Sequence, residues 1–135
     1  GSTASLRIER PGDTLSLERR GGSWQIAAEP PQPASAAAVD LLVRMLEERR
    51  PNAAQPLAPS TDLTALGLDP PIVRITATDR QGQARTLELG AAPAQSYTQV
   101  WARADGEDQV FTVDDDLANV AMRPVGRWLA TEDER

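Results

Sequence analysis

From Leu6 to Ala27 the chain alternates apolar with polar or small residues in three short runs, and each break between runs is a turn former. Leu6 and Ile8 alternate with Arg7 and Glu9, Leu15 and Leu17 with Ser16 and Glu18, and Trp24 and Ile26 with Gln25 and Ala27. Successive side chains on a strand point to opposite faces, so each run presents one apolar and one solvated face. The pattern predicts three strands of a half-solvated antiparallel sheet. Arg10-Pro11-Gly12-Asp13 carries Pro and Gly where a type II turn wants them, and Gly21-Gly22 suits a tight hairpin loop.

The period then changes. Glu29-Pro30-Pro31-Gln32-Pro33 reads as an extended connector that cannot pair in a sheet. A helix is expected from about residue 36 to 49, capped by Ser35. Val39, Leu42, Val43 and Leu46 form its apolar stripe, widened by Ala38, Leu41 and Met45. Asp40–Arg44 and Arg44–Glu48 lie opposite at i,i+4 spacing. Residues 51–60 read as a linker or an irregular edge. A short helix capped by Ser60 or Thr61 follows, closed by Gly67. Strands are expected at about 72–78, 84–89, 96–103 and 109–113, then a short helix over about 115–122 that stops before Pro124. The fold class is α+β: mostly antiparallel strands, one long amphipathic helix and two short ones. Residues 3–130 are read as a single domain, with a two-lobe division near 51–60 as the alternative; 131–135 read as a frayed tail.

Composition excludes several functions. The 135 residues carry a net charge of −6, and all 14 cations are Arg, interleaved with acids. Nucleic acid and anionic membrane surfaces both require clustered cations, so neither is expected as a partner. There is no Cys and no His, which removes thiolate and imidazole chemistry and ordinary zinc sites. No apolar run approaches the roughly 18 residues of a membrane span. Gly1-Ser2 without an initiating Met reads as a cleavage scar on an excised soluble piece.

Asp62 to Ile75 reads DLTALGLDPPIVRI. With Trp24-Gln25-Ile26 and Pro30, the stripe Val39–Leu46, Leu87-Glu88-Leu89-Gly90, Tyr97 through Arg103, and Val110-Phe111-Thr112-Val113, it resembles the bacterial family known as domain of unknown function 4340. The helix entry departs from the family's Asp cap, reading Ala34-Ser35-Ala36, and Ser caps equally well. The resemblance implies a membrane-anchored, extracytoplasmic protein, anchored by a segment outside this sequence and working beside ABC-transporter components of the gliding-motility type.

Each candidate site has a structural counterpart. Tyr97, Gln99, Trp101 and Arg103 share one face of a strand and could stack on sugar rings or anchor a protein; alternatively Tyr97 and Trp101 build the core. Asp114-Asp115-Asp116 reads as a cation cluster or as a helix cap with first-turn acids. Asp105-Gly106-Glu107-Asp108 reads as a cation loop or as a turn with Gly in the left-handed position. Trp24 is assigned to the core, whereas Trp128 is either a terminal latch or a contact for another domain. Glu88 with Asp79 or Glu107 is the one acid pair that could be proposed for catalysis, and nothing in the spacing selects it. The expected function is a non-enzymatic interaction module with a protein partner, such as transporter subunits, and no cofactor or metal. The alternatives are a carbohydrate- or peptidoglycan-binding domain and a metal- or carboxylate-dependent enzyme.

Overall fold

The computed structural model describes residues 3–28, 30–48, 52–56, 62–93, 98–105 and 109–132. In chain order the elements are β1 (Thr3–Arg10), β2 (Asp13–Arg20), β3 (Ser23–Ile26), β4 (Gln32–Pro33), α1 (Ala36–Glu48), β5 (Asn52–Pro56), β6 (Val73–Asp79), β7 (Ala84–Leu89), β8 (Gln99–Ala104), β9 (Gln109–Asp114) and α2 (Asp115–Ala121), followed by a 3-10 turn, Val125–Arg127. The strands form one sheet in the order β4-β3-β2-β1-β6-β7-β8-β9-β5. Every pairing between them is antiparallel. The α+β class and the antiparallel sheet agree with the sequence pattern.

The three early runs form β1, β2 and β3 as expected. Gly12 at φ 89° makes the first turn, and Gly21 and Gly22, both at positive φ, make the second. β1 also pairs with β6 across more than sixty residues, with Leu6 opposite Ala77 and Ile8 opposite Ile75. That pairing places the first hairpin in the middle of the sheet. α1 joins the strands at the two opposite ends of the order, β4 and β5.

One face of the sheet carries the core. Leu6, Ile8, Leu15, Leu17, Ile75 and Leu89 from the strands cluster with Val39 and Leu42 of α1 and Leu117, Val120 and Ala121 of α2. Ser35 caps α1, its Oγ accepting from Ala38 N at 3.2 Å. Trp24 lies in this core, and Trp128 is completely buried, its Nε1 donating to Arg123 O at 3.1 Å. The latch reading of Trp128 therefore holds.

Two expectations are corrected, and one of two open readings is selected. Gln32–Pro33 does pair, as a two-residue strand against β3, because it lies toward the sheet's edge, where a missing N–H is tolerated. Its far side is covered by the chain end: Ser35 N donates to Trp128 O at 2.8 Å and Ala130 N to Pro33 O at 3.0 Å. Of the two readings of residues 51–60, the irregular edge describes 52–56, which pair with β9 with a register shift between Asn52 and Gln55. Finally, residues 63–67 form consecutive turns rather than a helix. Asp62 organises them by accepting from Thr64 N at 3.0 Å through Oδ1, while Ser60 and Thr61 lie outside the described residues. Gly67 takes φ 74°, and the Asp69–Pro70 peptide is cis.

Candidate functional site

The face of the sheet away from the helices holds the predicted surface residues. Alternation along β8 turns Val100, Ala102 and Ala104 into the core and leaves Gln99, Trp101 and Arg103 on the outer side, all partly exposed. Trp101 is thus half-buried on that side of the strand. Tyr97 lies outside the described residues. Trp101 stands opposite Thr112 of β9, and Thr112 Oγ1 donates to Gln99 Oε1 at 2.8 Å, fixing the amide beside the indole.

Next to Trp101 runs a row of charges that the strand assignments alone did not reveal. Glu9, Arg74, Glu88 and Arg103 stand in direct register on β1, β6, β7 and β8. Arg74 Nη1 donates to Glu9 Oε2 at 3.0 Å and Nη2 to Glu88 Oε2 at 3.1 Å. Arg103 Nη1 lies 3.9 Å from Glu88 Oε1. The hydrogen bond to Glu88, opposed by partial burial and aided by the one to Glu9, pushes the Arg74 guanidinium above its ordinary value. Signs alternate −, +, −, + across four strands, so each charge has an opposite neighbour. The signal was available in principle, since two hairpin registers place Arg74, Glu88 and Arg103 in line, but the β1–β6 pairing that adds Glu9 is non-local.

The 62–71 turn closes one end of this face. Leu66 O accepts from Ala91 N at 2.8 Å, and a β-carbon on Gly90 would collide with that same carbonyl and crowd Leu68. Leu68 is buried yet stands outside the continuous core, and Ile72 beside it is 41% exposed. A raised turn with an apolar flank thus borders the charged row, with Trp101 on the strand next to Gly90.

The other candidates resolve differently. Asp114 occupies the N-cap position of α2 without a side-chain capping bond, while Asp115 and Asp116 fill its first turn, where the helix dipole favours acids. Asp105 takes φ 51°, and its Oδ1 accepts from Thr86 N at 2.6 Å. Gly106, Glu107 and Asp108 lie outside the described residues. Glu88 sits between two guanidinium groups, and Asp79, at the far end of the β6–β7 hairpin, spends its Oδ1 on the N–H groups of Gln81 and Gln83. The structure does not bring those two acids together. Among the described residues no group of three or more His, Cys, Asp or Glu could hold a metal ion.

A family model described as Domain of unknown function (DUF4340) matches residues 24–132. The chain belongs to that family. No curated protein and no solved structure matches it. The family match begins at β3, so the β1–β2 hairpin lies outside it. In this member that hairpin nevertheless stands between β3 and β6 and contributes Leu6, Ile8, Leu15 and Leu17 to the shared core. The turn packed over Gly90 and the strands β8 and β9, which carry Trp101 and Thr112, lie within the matched residues.

Proposed function

We propose that this domain is a non-enzymatic interaction module whose contact surface is the outer sheet face around Trp101. The observation that carries the reading is the partly exposed Trp101, braced by Gln99 and flanked by the Glu9–Arg74–Glu88–Arg103 row. Interface hot spots favour Trp and Arg set in a polar surround, and a rigid strand presents them without a large ordering cost. The partner is a protein. The family resemblance supports an extracytoplasmic, membrane-anchored parent protein and, as partners, subunits of an ABC-transporter-type complex.

A crosslinked pull-down from native membranes, with the full-length parent protein as bait, tests this. Enrichment of transporter subunits that weakens in Trp101→Ala and in Arg103→Glu supports the module. Recovery unchanged by both variants removes the outer face as the contact surface.

The same indole supports a second reading, a carbohydrate or peptidoglycan site in which sugar rings stack on Trp101. Cell-wall fragments should then quench tryptophan emission in the wild-type chain and not in Trp101→Phe. Equal quenching in both would reject that reading.

A further inference from the structure

From Leu117 to Thr131 the chain carries two cations, Arg123 and Arg127, and no acid, although its net charge is −6. This segment leaves α2 at Met122, passes Pro124 and makes the 3-10 turn Val125–Arg127. Met122 is 45% exposed and Val125 39%, two of the three large hydrophobic side chains exposed among the described residues. Pro124 between them is exposed as well.

The exposed loop is held from beneath. Arg10 Nη1 donates to Ala121 O and to Arg123 O, and Trp128 Nε1 also donates to Arg123 O. Met122 N and Arg123 N donate back into α2, while Arg127 N and Trp128 N donate to Pro124 O and Val125 O. Pro124 has no N–H to satisfy. Much of the backbone polarity is thus spent internally beneath an apolar tip, as contact with lipid requires, because an unpaired backbone group is costly there. Asp13, the acid that the β1–β2 turn brings beside Arg10, is already paired with it at 2.6 Å. Among the described residues neither Arg123 nor Arg127 forms an ion pair.

We propose that the Met122–Arg127 loop rests on an anionic lipid surface, with Met122, Pro124 and Val125 at the acyl boundary and Arg123 and Arg127 among the lipid phosphates. Guanidinium forks bind phosphate oxygens bidentately, and their long stems reach the headgroups from a shallow apolar anchor. The negative charge of the whole chain does not forbid this. Exposed charges act over only about a Debye length, ~8 Å at physiological ionic strength, so a locally cationic loop can meet an anionic surface. The loop offers six residues, whereas a stable protein interface takes roughly 20–30 a side, which favours lipid over an acidic protein.

The chain has no Cys, so Val125→Cys accepts a single environment-sensitive fluorophore. The labelled domain is titrated with phosphatidylglycerol vesicles and, in parallel, with phosphatidylcholine vesicles, up to several millimolar lipid. The expected result is a saturable blue shift with the anionic vesicles that weakens in high salt, and a smaller response to the neutral ones. The same label at Gln81→Cys, in the exposed β6–β7 turn, should not shift. Replacing both cations, Arg123→Gln with Arg127→Gln, should weaken partition by roughly tenfold or more. Unlabelled wild-type protein supplies a readout free of substitutions: nitroxide lipids in the anionic vesicles should broaden the amide signals of Met122, Val125 and Gly126 before those of Gln81 and Gly82. Absence of both the shift and the broadening overturns the proposal. Equal responses at the two labelled sites, or unchanged partition in a folded double-Arg variant, overturn it as well. Capture by soluble polyglutamate without any response to vesicles would assign the loop to an acidic protein instead and reject the lipid surface.

Discussion

The carbonyl oxygen of Leu66 sits over the α-carbon of Gly90, in the space that any β-carbon would need. Gly90 has an ordinary backbone conformation, so its restriction is one of space alone. The opposing atom is main chain and is held by a 2.8 Å hydrogen bond from Ala91 N, so it cannot yield cheaply. Gly67 is restricted twice, by φ 74° and by the closeness of Ala91 N. Gly82, at φ 83° with open space around it, is restricted by conformation only.

These three glycines therefore rank. Gly82→Ala should cost about 1–2 kcal/mol, the left-handed penalty alone. Gly90→Ala should cost about 2–3 kcal/mol from overpacking against backbone. Gly67→Ala combines both effects and should cost the most. Urea unfolding of the three variants checks the order, and a neutral Gly90→Ala would contradict the packing of the turn on β7.

Arg10 ties the first hairpin to the end of α2. Its side chain is 5% exposed, and Nη1 donates to Ala121 O at 3.4 Å and to Arg123 O, which also accepts from Trp128 Nε1. Arg10→Ala should destabilise by about 2–3 kcal/mol, because those acceptors lose a charged donor in a partly buried place. Denaturant titration with both far-UV and tryptophan signals checks it.

The same residue carries a pH dependence. Arg10 donates through Nε and Nη2 to Asp13 at 2.9 and 2.6 Å, which lowers the Asp13 carboxyl below its ordinary 3.8. A lowered folded value means that the ionised pair stabilises the fold above pH 3.8 and that this support disappears as pH falls through the lowered value. Asp13→Asn should therefore be less stable than wild type near neutral pH, with the difference closing in acid. Asp13 is exposed, so the gap should also narrow in high salt. Paired urea titrations across acid pH supply the measurement.

Trp128 closes the molecule. It is fully buried, and the backbone around it bonds to Pro33 and Ser35. Trp128→Ala should cost about 3–5 kcal/mol, whereas Trp128→Phe, which keeps most of the ring and loses the Nε1 bond, should cost about 1–2 kcal/mol. Calorimetry on both variants tests the latch.

The outer charge row should contribute little to stability. Arg74 is 39% exposed at its side chain, so solvent screens both of its ion pairs. A double-mutant cycle on Arg74 and Glu88 should give a coupling below about 1 kcal/mol that shrinks as salt rises. A larger, salt-insensitive coupling would show that the row is more desolvated than its exposure implies.

Local signals made much of this domain legible in the amino-acid sequence. Period-two alternation marked β1, β2 and β3, a 3.6-residue stripe marked α1, and paired glycines marked the hairpin turn, because each depends on neighbours within a few residues. That Gln99, Trp101 and Arg103 share one face of a strand was equally legible; which side of the sheet they faced was not. Helix-like residues at 63–67 yielded to turns because Asp62 captures Thr64 N and the segment packs on Gly90, contacts that propensity does not contain. Tertiary structure alone decided that β1 lies against β6, which completes the Glu9–Arg74–Glu88–Arg103 row, and that the chain end covers β4. It also decided that Arg10 of the first hairpin holds the loop that follows α2. Each of these joins residues far apart in sequence, and the closure entropy of such contacts is repaid only by burying the shared core, which no local window records.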